Sequence, residues 1–179
     1  MPKSASGIFL IFVLLAILSS DIFAQTPAKL FTGIEVGNLA PDISMTDTNG
    51  SILELKNLRG NIVFISFWAA WCRPCRYENK VLVQIFNSYY DKDFGDGAKF
   101  RIFSVSLDKT RENWINAIHK DGLWWPEHVS SLQGWDSPVA KTYDIRAIPA
   151  NVLLDKNGLI IAKNLKIEQL SEFLDDLLM

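Results

Sequence analysis

"IVFISFWAAWCRPC", residues 62–75, decides how the rest of the chain is read. Ile62 to Trp68 is an apolar run broken only by Ser66, short for a helix and rich in β-branched and aromatic residues. Such a run predicts a strand covered on both faces, as in the middle of an α/β sheet. Both cysteines of the chain, Cys72 and Cys75, come directly after it. Beyond them Val81, Leu82, Ile85, Phe86 and Tyr89 recur at helical spacing over residues 76–90. The pair therefore falls where a central strand hands over to a helix.

Ahead of this stretch, Gly60 and Asn61 make a turn, and "MTDTNGSILEL" (45–55) sets Asn49 and Gly50 between two alternating runs, a hairpin signal. Residues 27–40 show no strong period, and "GNLAPDISM" (37–45) reads as an extended entry segment. Downstream, "KFRIFSVSLD" (99–108) predicts a second buried strand, and Trp114, Ile115 and Ile118 mark one face of a helix over 111–121. "GLWWPEHVSSLQGWDSP" (122–138) is aromatic and punctuated by Gly and Pro, without a period. A short helical "VAKTYDI" (139–145) leads to "IPANVLLDKNGLIIAKN" (148–164), a hairpin turning at Asp155 to Gly158. Leu170, Phe173, Leu174 and Leu177 mark a closing helix over 167–179. Strand, helix, strand, helix, hairpin, helix predicts one compact α/β domain, a mixed sheet flanked by helices.

The chain has 179 residues, 49% of them hydrophobic and 21% charged, enough for a core that needs no disulfide staple. A net charge of −2 without clustered Lys and Arg argues against nucleic acid as a partner. The first residues stand apart. Lys3, an apolar run of twelve from Gly7 to Leu18, and a small-residue cut after Ala24 read as a secretory signal peptide over 1–24. The run is shorter than the roughly 20 residues that cross a bilayer core. An uncleaved anchor is the alternative, because Ile22 and not a small residue precedes the cut by three. Residues 25–35 read as a linker and 36–179 as the domain, placed in an oxidising compartment outside the cytoplasm.

Three chemistries are open to the cysteine pair. Zinc wants four donors, and His119 and His128 are far off in sequence and read as surface residues. Copper(I) is content with two thiolates, which keeps a metallochaperone as an alternative. A redox couple has a positive physical argument. Unpaired N–H groups and the helix dipole favour a thiolate at a first turn, and Arg73 can add charge. Pro74 is tolerated there because its missing N–H costs nothing. Cys72 is then the exposed nucleophile and Cys75 the resolving thiol one turn in. Glu78, three residues past Cys75, shares its helix face and is either a proton acceptor for Cys75 or a solvated helix residue. A purely structural bond would close a very short loop and stabilise little.

The chain from Val36 onward resembles the TlpA/ResA-like branch of the thioredoxin superfamily, the exported thiol-disulfide oxidoreductases. "GNLAPD" (37–42), the Asn-Gly hairpin, "LRG" (58–60), "FWAAWCRPCRYE" (67–78) and "YDIRAIPANVLLDKNG" (143–158) carry the likeness. It implies a thioredoxin-like fold with an N-terminal hairpin extension. It implies reduction of protein disulfides by exchange through Cys72 and Cys75, with cytochrome c maturation as one setting. Glu78 matches the acidic residue this branch places after the second cysteine, and Pro149 matches the cis-proline that faces the disulfide. Ile148 would offer backbone hydrogen bonds to a substrate, with Trp71 and Pro74 beside it. Trp68 and Trp71 flank the motif as packing or as substrate contacts. No metal or other cofactor is implied. The implied partners are protein thiols and disulfides and a membrane or periplasmic thiol donor, and the protein is expected to act as a monomer.

Two departures concern proton handling at Cys75. Ser66 stands where ordinary thioredoxins carry a buried Asp, and Asn79 and Lys80 replace a helix-bending Pro. A thiol peroxidase is a lesser alternative, because the Pro- and Thr-containing peroxidatic loop is missing. Trp124, Trp125 and Trp135 are either core packing or a partner-specific hydrophobic surface.

Overall fold

The computed structural model describes residues 31–178. The predicted signal peptide and the first part of the linker lie outside the described residues. A hairpin comes first, β1 (Ser44–Thr46) with β2 (Ile52–Glu54), antiparallel. Its loop is closed by the Asp47 carboxylate, which accepts the N–H groups of Asn49 and Ser51 at 2.7 and 2.8 Å. Gly50 takes the positive φ of +88° that the loop demands.

The run that opened the reading is β3 (Ile62–Trp68), buried at every position. It runs parallel to β4 (Phe100–Ser106) and antiparallel to β6 (Ala150–Leu154). With β5 (His128–Ser130) and β7 (Ile160–Lys163) the sheet order is β5-β4-β3-β6-β7. This is the mixed sheet that the sequence predicts. Asp155 closes the β6–β7 turn as Asp47 closes the first hairpin, accepting from Asn157 and Leu159.

Strand alternation splits β3 between two cores. Ile62, Phe64 and Trp68 face α1 (Arg73–Tyr89), α2 (Arg111–Asp121) and α4 (Leu170–Leu178). Val63, Ile65 and Phe67 face the β1–β2 hairpin, the preceding segment, and Val139 and Tyr143 of the α3 region (α3, Pro138–Thr142). Each fully buried Phe or Leu contributes about 1.5–3 kcal/mol. The short strand therefore anchors both layers.

Three elements differ from the sequence reading. Residues 31–40, in which the sequence shows no period, form an ordered turn. They turn back on themselves, with Gly33 N–H bonded to the Leu39 carbonyl at 3.0 Å, and dock on the first residue of β7. The aromatic stretch holds β5, three residues whose register with Ser104, Val105 and Ser106 comes from β4 and not from any period of their own. The closing helix starts at Leu170, after a 3₁₀ turn at Ile167–Gln169. Among the described residues, no helix is long and apolar enough to cross a membrane.

Candidate active site

Cys72 is the N-cap of α1, and its extended backbone lets the sulfur turn back over the first helical turn. Cys72 Sγ accepts the backbone N–H of Cys75 at 3.2 Å, the contact that stabilises negative charge on a sulfur at a helix start. Pro74 takes the second helical position, where no intrahelical N–H is needed. The two cysteines are joined in a disulfide, with Cα atoms 5.3 Å apart.

The exposed Cys72 expected from sequence is not what the oxidised protein presents. Cys72 is 4% exposed and Cys75 1%. The cause is a segment distant in sequence. The Ile148–Pro149 peptide bond is cis, and the Ile148 carbonyl oxygen lies 3.8 Å from Cys72 Sγ. Cys72, Cys75, Ile148 and Pro149 are thus brought together, while Trp71 projects beside them at 57% exposure.

Glu78 lies one turn beyond Cys75, half-buried, in a hollow of 550 Å³ that Pro149, Tyr143, Asn151 and Lys166 also line. Burial pushes its carboxyl above the ordinary glutamate range, and Glu168 pushes in the same direction. Glu78 is thus neither fully solvated nor enclosed. Ser66 is buried in β3, in register with Ser104 on one side and Asn151 on the other. Asn79, in place of a bending Pro, is buried and donates to Asp121 at 2.9 Å, tying a continuous α1 to the end of α2.

The loop leading into Cys72 is gripped from two sides by groups that the sequence reading passed over. Buried Asp108 accepts the Ala70 N–H at 2.9 Å and the Ser106 hydroxyl at 2.8 Å. Arg76 donates to the Ala70 carbonyl at 3.2 Å while its other nitrogens form a two-pronged ion pair with Asp121. An Asp just past a buried strand was the only sequence trace of this arrangement, and a common one. His119 is on the exposed face of α2, but His128 is a correction: it is buried in β5, its ring stacked on Trp125 at 5.4 Å. Among the described residues, no cluster of three or more His, Cys, Asp or Glu could hold a metal ion.

The tryptophans divide. Trp125 is core and donates to Ser104 Oγ. Trp124 is half-exposed, bonded to Asn87, tilted against Phe86 and edge-on to Tyr90. Trp135 faces Trp71 with ring centroids 6.3 Å apart. It is presented by a 3₁₀ turn starting at Gly134, whose φ of +59° and close approach to the Lys109 side chain suit glycine.

Comparison with known proteins agrees with this architecture. The family model described as AhpC/TSA family matches residues 36–163. The thiol-disulfide oxidoreductase ResA of Bacillus thuringiensis subsp. konkukian is 30% identical over 145 residues, 81% of this chain and 78% of its own. Among solved structures, the thioredoxin domain of a thiol-disulfide oxidoreductase from Bacteroides vulgatus superposes with a TM-score of 0.72 at 30% identity, covering 82% of this chain and 100% of that one. A thiol-disulfide oxidoreductase from Bacteroides fragilis gives 0.69 at 33% identity, over 78% and 99%. The chain belongs to the AhpC/TSA family and is a thioredoxin-like, ResA-like thiol-disulfide oxidoreductase.

Proposed function

We propose that this protein is an exported reductase of protein disulfides, working through its Cys-Arg-Pro-Cys motif. The observation that carries the proposal is the Cys75 N–H donated to Cys72 Sγ under the Ile148 carbonyl. In the reduced protein the same N–H stabilises a Cys72 thiolate. That thiolate attacks one sulfur of a substrate disulfide and expels the other as a thiolate, giving a mixed disulfide. Cys75 gives its proton to Glu78 and attacks Cys72 Sγ. The substrate leaves with both sulfurs reduced, and Cys72–Cys75 is oxidised. A carboxylate held above its ordinary range by burial is a better proton acceptor than a solvated one.

Trp71, Pro74, Ile148 and Pro149 surround the disulfide and hold the substrate chain, Ile148 through its backbone. Electrons return from a thiol donor of the membrane or periplasm, and no cofactor takes part. Export rests on the composition of residues 1–24, and cytochrome c maturation is one pathway this chemistry serves. The protein acts as a monomer.

The test is stoichiometric reduction of a model protein disulfide. Cys72→Ser abolishes it, and Cys75→Ser accumulates a mixed disulfide on Cys72. If Cys75→Ser traps nothing, the proposal fails. Glu78→Gln changes the pH profile of reduction, and an unchanged profile removes Glu78 from the proton step.

A further inference from the structure

On the α2 side of the disulfide three hollows adjoin one another, two of them walled by exposed Trp71. The first, 320 Å³, lies between Trp71 and Trp135, with Leu107 and Lys109 in its wall. The second, 260 Å³, is bounded by Trp71, Arg76, Asn113 and Lys120. The third, 380 Å³, opens among Arg73, Arg76, Tyr77, Lys80 and Lys120. Trp71 and Asn113 are shared by the first two, Arg76 and Lys120 by the last two. The hollows form one band that begins at the two neighbours of Cys72 in the chain.

The exposed charges of the band are of one sign. Its two carboxylates are buried and already bonded: Asp108 to Ala70 and Ser106, Asp121 to Arg76 and Asn79. Arg73, Lys80, Lys109 and Lys120 are exposed, and among the described residues none forms an ion pair. At the margins, Asp136 lies 3.8 Å from Lys141, and Glu112 is exposed at the start of α2. Across the disulfide the charges are mixed and partly matched, with Glu35 on Lys163 at 3.2 Å and Asp144 on Arg146 at 2.9 Å. In a chain of net charge −2, this band gathers four exposed cations, Arg73, Lys80, Lys109 and Lys120. Trp71, Trp135 and Tyr77 add exposed aromatic surface, 57%, 43% and 65% accessible.

We propose that this band is the recognition surface for the protein whose disulfide Cys72 attacks. It selects an acidic polypeptide segment anchored by an aromatic or large apolar side chain between Trp71 and Trp135. The inference rests on the exchange reading of Cys72 and Cys75. Rigid aromatic walls supply contact area at little entropic cost, and a one-signed surface beside a reactive centre raises the encounter rate of oppositely charged partners. Arg73, exposed and outside any ion pair among the described residues, can also bind a carboxylate through two parallel hydrogen bonds.

The test uses the reduced protein and three synthetic peptides that share one intramolecular disulfide. One carries a Trp with Asp and Glu flanks, one the same flanks with Gly for Trp, one the Trp with Lys flanks. Each second-order rate is divided by the same protein's rate on neutral 2-hydroxyethyl disulfide. The Trp-acidic peptide is expected to react about tenfold faster than the Lys peptide at low ionic strength, the advantage shrinking in high salt. Lys80→Glu with Lys120→Glu inverts the charge preference, and Trp135→Ala removes the preference for Trp over Gly. Equal normalised rates for acidic and Lys peptides overturn the proposal, as does a ratio untouched by the double charge reversal. A Gly peptide as fast as the Trp peptide shows a bare anion site and also overturns it. Failure to reduce the neutral disulfide overturns the exchange reading itself.

Discussion

Behind the disulfide, Asp108, Ser106, Arg76 and Asp121 are buried or half-buried, and each meets its partners. In and beside β5, the His128 ring nitrogens and the Glu127 Oε2 atom are buried without a well-formed hydrogen bond in the protein. Both regions flank β4, and they handle polarity in opposite ways. Near the reacting sulfurs, charge is kept and surrounded by donors, which fixes where the Ala70–Cys72 loop sits. At β5 the polar group is accommodated by staying neutral. Burial pulls the His128 imidazole down to about 4, against a smaller upward pull from the Leu123 and Trp125 backbone. A satisfied buried charge specifies geometry, and an unsatisfied buried base specifies a pH range.

Removing Arg76 is the strongest way to break this contrast. Arg76→Ala leaves the Asp121 carboxylate, only 3% exposed, without its guanidinium. The expected loss is about 4 kcal/mol, read from urea unfolding of the oxidised protein. Asp108→Ala strands the Ala70 N–H and the Ser106 hydroxyl for a loss of about 3 kcal/mol. The rate of disulfide reduction should fall with it, since the loop carrying Trp71 and Cys72 loses a tether. Wild-type stability and rate in Asp108→Ala would mean that the loop is held by the backbone alone.

The β5 side is sharpened by acid. His128 titrates at about 4 when folded and near 6.5 when unfolded. Between those values the unfolded chain holds a proton that the folded chain lacks, so acid favours unfolding. The stabilisation is complete above about pH 6.5 and is lost as pH falls toward 4, a change of ~3 kcal/mol. Glu78 and Glu127, both raised by burial, act with the opposite sign. Comparing wild type with His128→Phe cancels them, and the variant should lack the His128 part of the slope. Parallel pH curves would place the His128 ring in contact with solvent. The smallest effect belongs to a neutral bond. Tyr143→Phe removes the hydroxyl that donates to the Pro41 carbonyl but keeps the ring against Phe67 at 5.4 Å, and should cost about 1 kcal/mol.

What could be read from the sequence was what neighbouring residues decide. The all-buried β3, the helix start at the cysteines and both hairpins follow from local pattern and turn chemistry, and all are present. What could not be read depends on residues far apart in the chain. β5 exists because β4 offers it a register, and three residues cannot display a period. Cys72 is covered by a carbonyl 76 residues away. Asp108 and Arg76 are unremarkable letters until the fold sets Ala70 between them. His128 read as a surface residue because a solvated and a buried histidine look alike in sequence.

The segment before β3 has a consequence for how such a protein meets other chains. Residues 37–40 bond to the outer side of the β7 end, through Gly37 to Ile160, Ile160 to Asn38 and Ala40 to Gly158. At the opposite margin, Asp47 bridges to Val129 on the outer side of β5. Part of each lateral margin of the five-stranded sheet is thereby covered by the protein's own N-terminal residues. An open sheet margin presents unpaired N–H and C=O groups that recruit extended backbone indiscriminately into stacked strands. With these positions occupied, a stray strand finds less of the sheet edge to pair with, while the disulfide lies under the Ile148 carbonyl, 3.8 Å from Cys72 Sγ.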